Sequence, residues 1–256
     1  LSRRPVTGER VTTPAGGFNP TWQRHVAAYG LCAPLLPRGR VVDLGCGTGH
    51  SFELLGPRET VGVDLDAPSL QGQNRETVVA DMRALPFSDD SFSAAIAVQS
   101  LEHVPDPERI VAEAARVVEP EGMAIFVTPN RLTFSVDGEI VDPYHYVELD
   151  GTELKQLLRR SFQEVRVLGL FGSPAYMDIY EGERARLRRL LGWDPMRLRR
   201  LLPQGLRRSL YDWGLRRTRA TATGAEARIS PDDFSLRADG LDDALDLVGI
   251  AERPRG

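Results

Sequence analysis

Residues 41–50, Val-Val-Asp-Leu-Gly-Cys-Gly-Thr-Gly-His, set glycines at 45, 47 and 49 directly behind a short β-branched run. A chain concentrates glycine in this way where it must turn with positive φ or bring its backbone close to another group, because elsewhere glycine costs roughly 0.5–1 kcal/mol relative to alanine. The segment therefore reads as a strand running into a tight loop over a ligand. Such a loop belongs at the carboxyl edge of a parallel sheet.

The rest of the chain supplies that sheet. Short apolar runs alternate with helical patterns, and strands are expected at 40–44, 60–65, 77–80, 93–99 and 123–128. This rhythm makes an α/β fold with crossover helices. The most regular helix is expected at 107–118, where Ile110, Val111, Ala114, Val117 and Val118 recur at helical spacing and Pro107 suits the first turn. A helix at 152–160 leads into a sixth strand at 164–171, a last strand is expected at 244–251, and a leading helix at 21–36 carries Trp22, Val26, Tyr29 and Ala33 near one face. The division that follows is an N-terminal arm and helix (1–39), a core (40–171 and 229–256) and an insertion (172–228) of arginine-leucine segments split by Pro174, Pro195, Pro203 and Gly205. The insertion is expected to form a helical cap before the last strand.

Asp43, Asp64 and Asp81 close, or nearly close, three successive expected strands. Asp64 lies 19 residues beyond Gly45, about where an acid holds a ribose diol after a glycine-rich loop, and a carboxylate offers the two acceptors a diol needs. Asp81 is placed to accept from the exocyclic amine of an adenine. A dinucleotide fingerprint G-x-G-x-x-G would put its third glycine at 50, where His50 stands. The spacing favours S-adenosylmethionine over a nicotinamide dinucleotide.

With D-L-G-C-G-T-G (43–49), G-V-D (62–64), A-D-M-R-A-L-P-F (80–87), L-E-H-V-P-D (101–106) and E-G-M-A-I-F-V-T-P-N (121–130), the chain resembles the class I S-adenosylmethionine-dependent methyltransferases. The likeness is narrower still to their type 11 group, which includes ubiquinone, natural-product and sugar methyltransferases, and it spans about residues 41–171. It implies a Rossmann-like sheet of seven strands in the order 3-2-1-4-5-7-6, with only the seventh antiparallel, and S-adenosylmethionine as cofactor. It also implies that Asp43 and the loop of Gly45, Cys46, Gly47 and Gly49 face the methionine portion and that Asp64 faces the ribose. Asp81 and the Met82 amide would meet the adenine, with Leu65 stacked on its edge, and the Gln99 carbonyl would meet the amino group. The crossover between Asp64 and Asp81 is short, with a helix expected only at 68–73, so the adenine side should be more open than that pattern.

Composition narrows the setting. With 41% hydrophobic and 27% charged residues in a length of 256, the chain can bury one substantial core. No apolar run approaches the roughly 20 residues of a membrane-spanning helix, and the first twenty residues carry Arg3, Arg4, Glu9 and Arg10 without a signal-peptide core, so a cytoplasmic protein is expected. Cys32 and Cys46 lack C-x-x-C or metal-ligand spacing, so neither a disulfide nor a metal centre is expected. Lys155 is the one lysine among 32 basic residues, a bias that points to a GC-rich bacterial coding sequence.

Between 176 and 219 twelve arginines meet five acids, a local balance of +7 in a chain of net charge -4. That stretch suits an anionic small-molecule acceptor, or a peripheral contact with an anionic membrane surface carrying a lipid-linked one. Nucleic acid is disfavoured as a partner, because the basic stretch contains no nucleic-acid module and its arginines alternate with leucines as on a solvated helix.

Methyl transfer needs positioning and, for an alcohol acceptor, a base. His145, in D-P-Y-H-Y-V-E (142–148), is the first candidate, since in the resembling family this region reaches over the sulfonium methyl. The competing reading is a loop histidine bonded to backbone carbonyls. His103, in S-L-E-H-V-P-D (100–106), is the second, with support of its own loop as the rival role. Glu102 reads as a cap or bridge, His50 as a contact to the methionine carboxylate and His25, with Trp22 and Tyr29, as packed core, with lining of the entrance as the other reading. Asn130, Tyr144 and Tyr146 offer polar and ring contacts at the same mouth. The expected activity is O-methylation of a small hydroxylated metabolite, such as a sugar or a glycosylated or lipid-linked product. The alternatives are a non-catalytic S-adenosylmethionine-binding protein and a methyltransferase of nucleic acid.

Overall fold

The computed structural model describes residues 19–136, 138–192, 202–219, 224 and 226–255. The expected N-terminal arm before Asn19 and residues 193–201, 220–223 and 225 of the expected cap lie outside them. The strands are β1 (Val41–Leu44), β2 (Thr60–Asp64), β3 (Glu76–Val79), β4 (Phe92–Val98), β5 (Val118–Pro129), β6 (Phe162–Gly172), β7 (Phe234–Arg237) and β8 (Asp246–Pro254). The helices are α1 (Asn19–Cys32), α2 (Ala67–Leu70), α3 (Pro107–Val117), α4 (Arg131–Phe134), α5 (Gly151–Leu158), α6 (Pro174–Gly192) and α7 (Gln204–Arg219).

All eight strands join one Rossmann-like sheet in the order β3-β2-β1-β4-β5-β8-β6-β7. The first five are parallel, while β8 runs antiparallel between β5 and β6. Seven strands follow the expected order. The eighth, β7, pairs antiparallel with β6 at the edge, which corrects both the count and the expectation that only one strand runs against the others.

Alternation along the strands divides the core between two faces. Val41, Ile96, Val98, Ile125 and Val127 point to one side, where Ala27, Ala28, Tyr29 and Cys32 of α1 and Tyr176 of α6 cover them. Val42, Leu44, Ala95, Ala97 and Phe126 point to the other, against Ile110, Val111 and Ala114 of α3 and Leu154, Leu157 and Leu158 of α5. Each fully buried aliphatic or aromatic side chain contributes roughly 1.5–3 kcal/mol relative to exposure. Helix α5 begins with a capping box in which Asp150 accepts from the Glu153 amide and the Glu153 side chain accepts from the Asp150 amide.

This topology fixes where a ligand can lie. The chain winds outward from β1 to β2 and β3, then crosses back to β4 on the other side of β1, so a crevice opens at the carboxyl ends of β1 and β4. The glycine loop sits at that point. Gly45 has φ +69°, and a Cβ there would stand 2.7 Å from the Cβ of Ser100 at the end of β4. Behind the loop the chain makes a single 3-10 turn, Phe52–Leu55, before β2. Among the described residues no helix is long and apolar enough to cross a membrane.

Candidate functional site

A cleft of about 690 Å³ opens at this crevice. Gly45, Cys46 and Gly47 of the glycine loop line it together with Asp64, Leu65, Asp81, Met82, Gln99 and His103. Nearly all the residues proposed from the sequence for the cofactor are thus brought together. Asp43 and Gly49 are not part of this lining.

Asp43 is 1% exposed, and both its oxygens are engaged. Tyr29 Oη donates to Oδ1 at 2.9 Å and Arg75 Nη2 donates to Oδ2 at 2.8 Å. Burial pushes the Asp43 carboxyl up, against the opposing pull of Arg75 and Tyr29. The side chain is thus engaged by Tyr29 and Arg75, and Tyr29 reaches the cleft in its place. Cys46 is buried beside it, and burial together with Asp43 raises its thiol far above the ordinary range, so the sulfur remains neutral.

Asp64 is held by two backbone donors. Its Oδ2 accepts from Gly47 N at 2.8 Å and its Oδ1 from Asp66 N at 2.8 Å, which fixes the rotamer and leaves a second acceptor site on each oxygen. Leu65 next to it is 70% exposed, an apolar surface presented to the cleft. Asp81 pairs with Arg83, whose Nη2 lies 2.7 Å from Oδ2, and Arg83 also reaches Asp106 at 2.9 Å. The Arg83 hydrogen bonds hold the Asp81 carboxyl below its ordinary value.

Gln99 adopts φ +53°, a left-handed conformation uncommon outside glycine. Its amide donates to Val127 O at 2.7 Å and its Nε2 to Asp246 Oδ1 at 2.7 Å. Ser100 Oγ donates to Leu44 O at 3.2 Å, tying the end of β4 to the end of β1. On the α1 side, the Trp22 and His50 rings lie 4.3 Å apart, and burial followed by the neighbouring His25 pushes the His50 imidazole down to about 4. Burial also lowers His25, whose Nδ1 meets Thr21 O at 2.9 Å.

The two candidate bases occupy different depths. His103 lines the cleft, with its Nδ1 3.2 Å from Tyr144 O. A carbonyl can only accept, so Nδ1 carries the proton and Nε2 of the neutral ring keeps a lone pair. His145 is not part of the lining, and its side chain is 6% exposed. Its Nδ1 is 2.9 Å from Glu148 Oε1, its ring stacks on Phe134 at 5.1 Å and it meets the His103 ring at 5.2 Å. Burial opposes protonation of His145, but the Glu148 hydrogen bond and the charges of Glu102 and Asp142 outweigh it and raise its pKa.

Glu102 lies beneath both rings. It is 1% exposed, and its Oε2 accepts from Thr128 Oγ1 at 3.0 Å. Its Oε1 has no hydrogen-bond partner among the described residues. Burial raises this carboxyl against the pull of His103 and His145.

Asn130 is fully buried. It donates to Leu241 O and Ala244 O, each at 2.9 Å, and caps α4, so it holds the β8 approach and lies apart from the cleft. Tyr146 lines the cleft, whereas Tyr144 is buried. Sequence reasoning missed Arg24, Arg75 and Asp246, whose partners are remote in the chain.

Residues 42–126 match the family described as Methyltransferase domain. A probable S-adenosylmethionine-dependent methyltransferase of Mycobacterium tuberculosis is 30% identical over 97% of this chain and 89% of its own length. The chain belongs to the S-adenosylmethionine-dependent methyltransferases. S-adenosylmethionine is therefore the cofactor of this methyltransferase, and the glycine loop lies within the stretch matched by the family. The chain is also similar to a ubiquinone biosynthesis O-methyltransferase of Alkalilimnicola ehrlichii, 35% identical over 46% of this chain and 51% of that one. In fold it is similar to a methyltransferase structure from Thermotoga maritima, described as a possible histamine N-methyltransferase, with a TM-score of 0.57, 19% identity and 90% of each chain covered.

Proposed function

We propose that this methyltransferase transfers the methyl group of S-adenosylmethionine to a hydroxyl of a small metabolite, with the acceptor entering beside His103. The observation that carries this reading is the His103 ring, which lines the cleft with Nδ1 committed to the Tyr144 carbonyl and Nε2 left to accept a proton. The O-methyltransferase named among the similar proteins supports the hydroxyl as acceptor.

Within this reading the loop from Gly45 to Gly49 receives the methionine portion. Asp64 receives the ribose diol on its two remaining acceptor sites, Asp81 and the Met82 amide receive the adenine, Leu65 covers its edge and the Gln99 carbonyl meets the amino group. Asp43 acts indirectly, by holding Tyr29 and Arg75 under the loop. The hydroxyl oxygen forms a bond to the methyl carbon while the carbon–sulfur bond breaks with its pair going to sulfur. The hydroxyl proton passes to His103, and the products are a methyl ether and S-adenosylhomocysteine. An imidazole base of this kind contributes typically 10²–10⁴-fold.

Helix α7 acts as a cap beside the acceptor, and the arginines of the segment 172–228 favour an anionic one. Incubation with methyl-labelled cofactor and a small-molecule extract tests the proposal. Label recovered in a methyl ether of the small-molecule fraction supports it. Label confined to nucleic acid, or recovered on nitrogen or carbon, overturns it.

A further inference from the structure

One ring nitrogen from each of His103 and His145 and one carboxylate oxygen of Glu102 lie within 4.8 Å of one another. These residues come from two separate loops, the turn after β4 and the segment after α4, so no local spacing announces the cluster. Three features distinguish it from a chance meeting of polar groups. Both histidines have their Nδ1 held by an oxygen, His103 by the Tyr144 carbonyl and His145 by Glu148 Oε1, so in the neutral rings each Nε2 is the acceptor atom, and neither is hydrogen-bonded among the described residues, His145 Nε2 standing 4.0 Å from Asp142 Oδ2. Glu102 is 1% exposed and its Oε1 has no partner among the described residues, although a buried carboxylate oxygen ordinarily finds one. His103 also borders the cleft, so a group held here would meet the acceptor.

We propose that Glu102, His103 and His145 form a site for one divalent transition-metal cation, at the end of the cleft where the acceptor hydroxyl is activated. Two imidazoles and one carboxylate are a donor set for zinc or iron rather than for magnesium or calcium, which prefer all-oxygen shells. Bonds to such an ion are roughly 2.0–2.2 Å long, so the three donors need to close by less than about 1 Å to reach a common centre. The outer partners are already in place. A metal-bound histidine usually donates its other ring N–H to a carbonyl or carboxylate, and Tyr144 O and Glu148 Oε1 do this for the two rings.

Three protein ligands leave a position for an oxygen of the acceptor. Bound there, the hydroxyl loses its proton to solvent more readily, and the metal-held oxygen attacks the methyl carbon as the carbon–sulfur pair returns to sulfur. This step rests on the O-methylation reading above, whereas binding of the cation does not. In the loaded enzyme the cation takes over from the His103 imidazole the task of lowering the acidity barrier.

The test is calorimetric titration of the full-length protein with zinc chloride and with manganese chloride, together with metal analysis after dialysis. The expected result is one equivalent of zinc bound to the wild type, with affinity lowered at least tenfold in Glu102→Gln and in His145→Ala. Binding of S-adenosylhomocysteine by both variants keeps the comparison with folded protein. Failure of the wild type to retain an equivalent, or equal retention by both variants, overturns the site. If the cation binds as expected but labelled methyl is never recovered on oxygen, the metal site stands and the acceptor reading falls. Full-rate ether formation by enzyme stripped with a chelator overturns the assigned part of the cation in the reaction.

Discussion

Arg24 of α1 and Asp246 at the start of β8, 222 positions apart, form a buried ion pair under the cleft, with Arg24 Nε 2.6 Å from Asp246 Oδ2 and Nη2 bonded to Oδ1. The same Oδ1 accepts from Gln99 Nε2 at 2.7 Å, and Arg24 Nη2 also donates to Leu245 O at 2.8 Å. Asp246 is 0% exposed. Burial works against the charge on Arg24, yet Asp246 keeps the guanidinium protonated. One carboxylate thus joins the leading helix, the final strand and the left-handed residue that ends β4.

Removing one member should therefore do more harm than removing both. Arg24→Met strands a carboxylate in the interior, and the expected loss of stability is about 3–5 kcal/mol in urea unfolding. The double replacement Arg24→Met with Asp246→Leu should recover a large part of that loss, because no charge is then left buried. A double variant as unstable as the sum of the singles would show that the hydrogen bonds to Leu245 and Gln99, and not the charge pairing, hold this region.

Asp64→Ala should weaken binding of S-adenosylhomocysteine by one to two orders of magnitude in calorimetry, since a ribose hydroxyl would lose its acceptor and the Gly47 and Asp66 amides would lose theirs. Asp64→Asn should recover little. Its amide nitrogen would have to face one of two N–H donors, so one contact turns repulsive. Wild-type affinity in either variant would sink the assignment of Asp64 to the ribose.

How far these features were legible in the sequence depends on how local their cause is. Gly45 and the strand before it announce themselves, because a positive φ and a close approach to Ser100 leave a glycine signature. β7 does not. Phe234–Arg237 is four residues long, too short to show alternation, and becomes a strand by pairing with β6. Asp43 was visible as an acid on a strand, but whether it faces ligand or core is decided by Tyr29 and Arg75, which lie 14 and 32 positions away. The same limit hid the contact of His103 with His145, for which nothing in either loop encodes the other.

His50 makes stability depend on pH. Its imidazole is pushed down to about 4 in the folded protein, whereas an unfolded chain titrates near 6.5. The folded state therefore refuses a proton that the unfolded state accepts. Its contribution is complete above about pH 6.5 and is lost as the pH falls toward 4, by up to about 3 kcal/mol. Unfolding curves at pH 7 and pH 4.5 should show a smaller difference for His50→Gln than for the wild type. Equal differences would exclude His50 as the source.

The depths of the two histidines order their effects on turnover. His103 borders the cleft and His145 stands behind it, so His103→Ala should lower kcat by roughly 10²–10⁴ with cofactor affinity unchanged. His145→Ala should lower it less in metal-free enzyme, because the ring acts there only by supporting His103. Placing His145 first, as its position after the fifth strand suggests, predicts the reverse order. The two single variants, assayed on one hydroxylated acceptor, decide between them.

Helix α7 provides the last prediction, because it touches the loop that carries His145. Tyr211 Oη donates to Asp142 Oδ2 at 2.9 Å and the Arg208 guanidinium lies 4.7 Å over the Tyr144 ring. Helix α6 must be treated separately, since Tyr176 is 4% exposed and belongs to the core. Replacing residues 204–219 alone by a Gly/Ser linker should spare cofactor binding and overall stability. The acceptor loop would lose its outer support, and displacement of a positioning segment by about 1 Å can cost 10²-fold in rate, so kcat/KM for the acceptor should fall by about that factor. Arg207→Glu with Arg208→Glu should raise the KM of an anionic acceptor at low salt, with the defect shrinking at high salt because exposed charges are screened over about 10 Å at 0.1 M. Undiminished transfer after loss of α7 would remove the cap from the acceptor site, and a salt-independent defect would assign the effect to packing of Arg208 on Tyr144 instead of attraction.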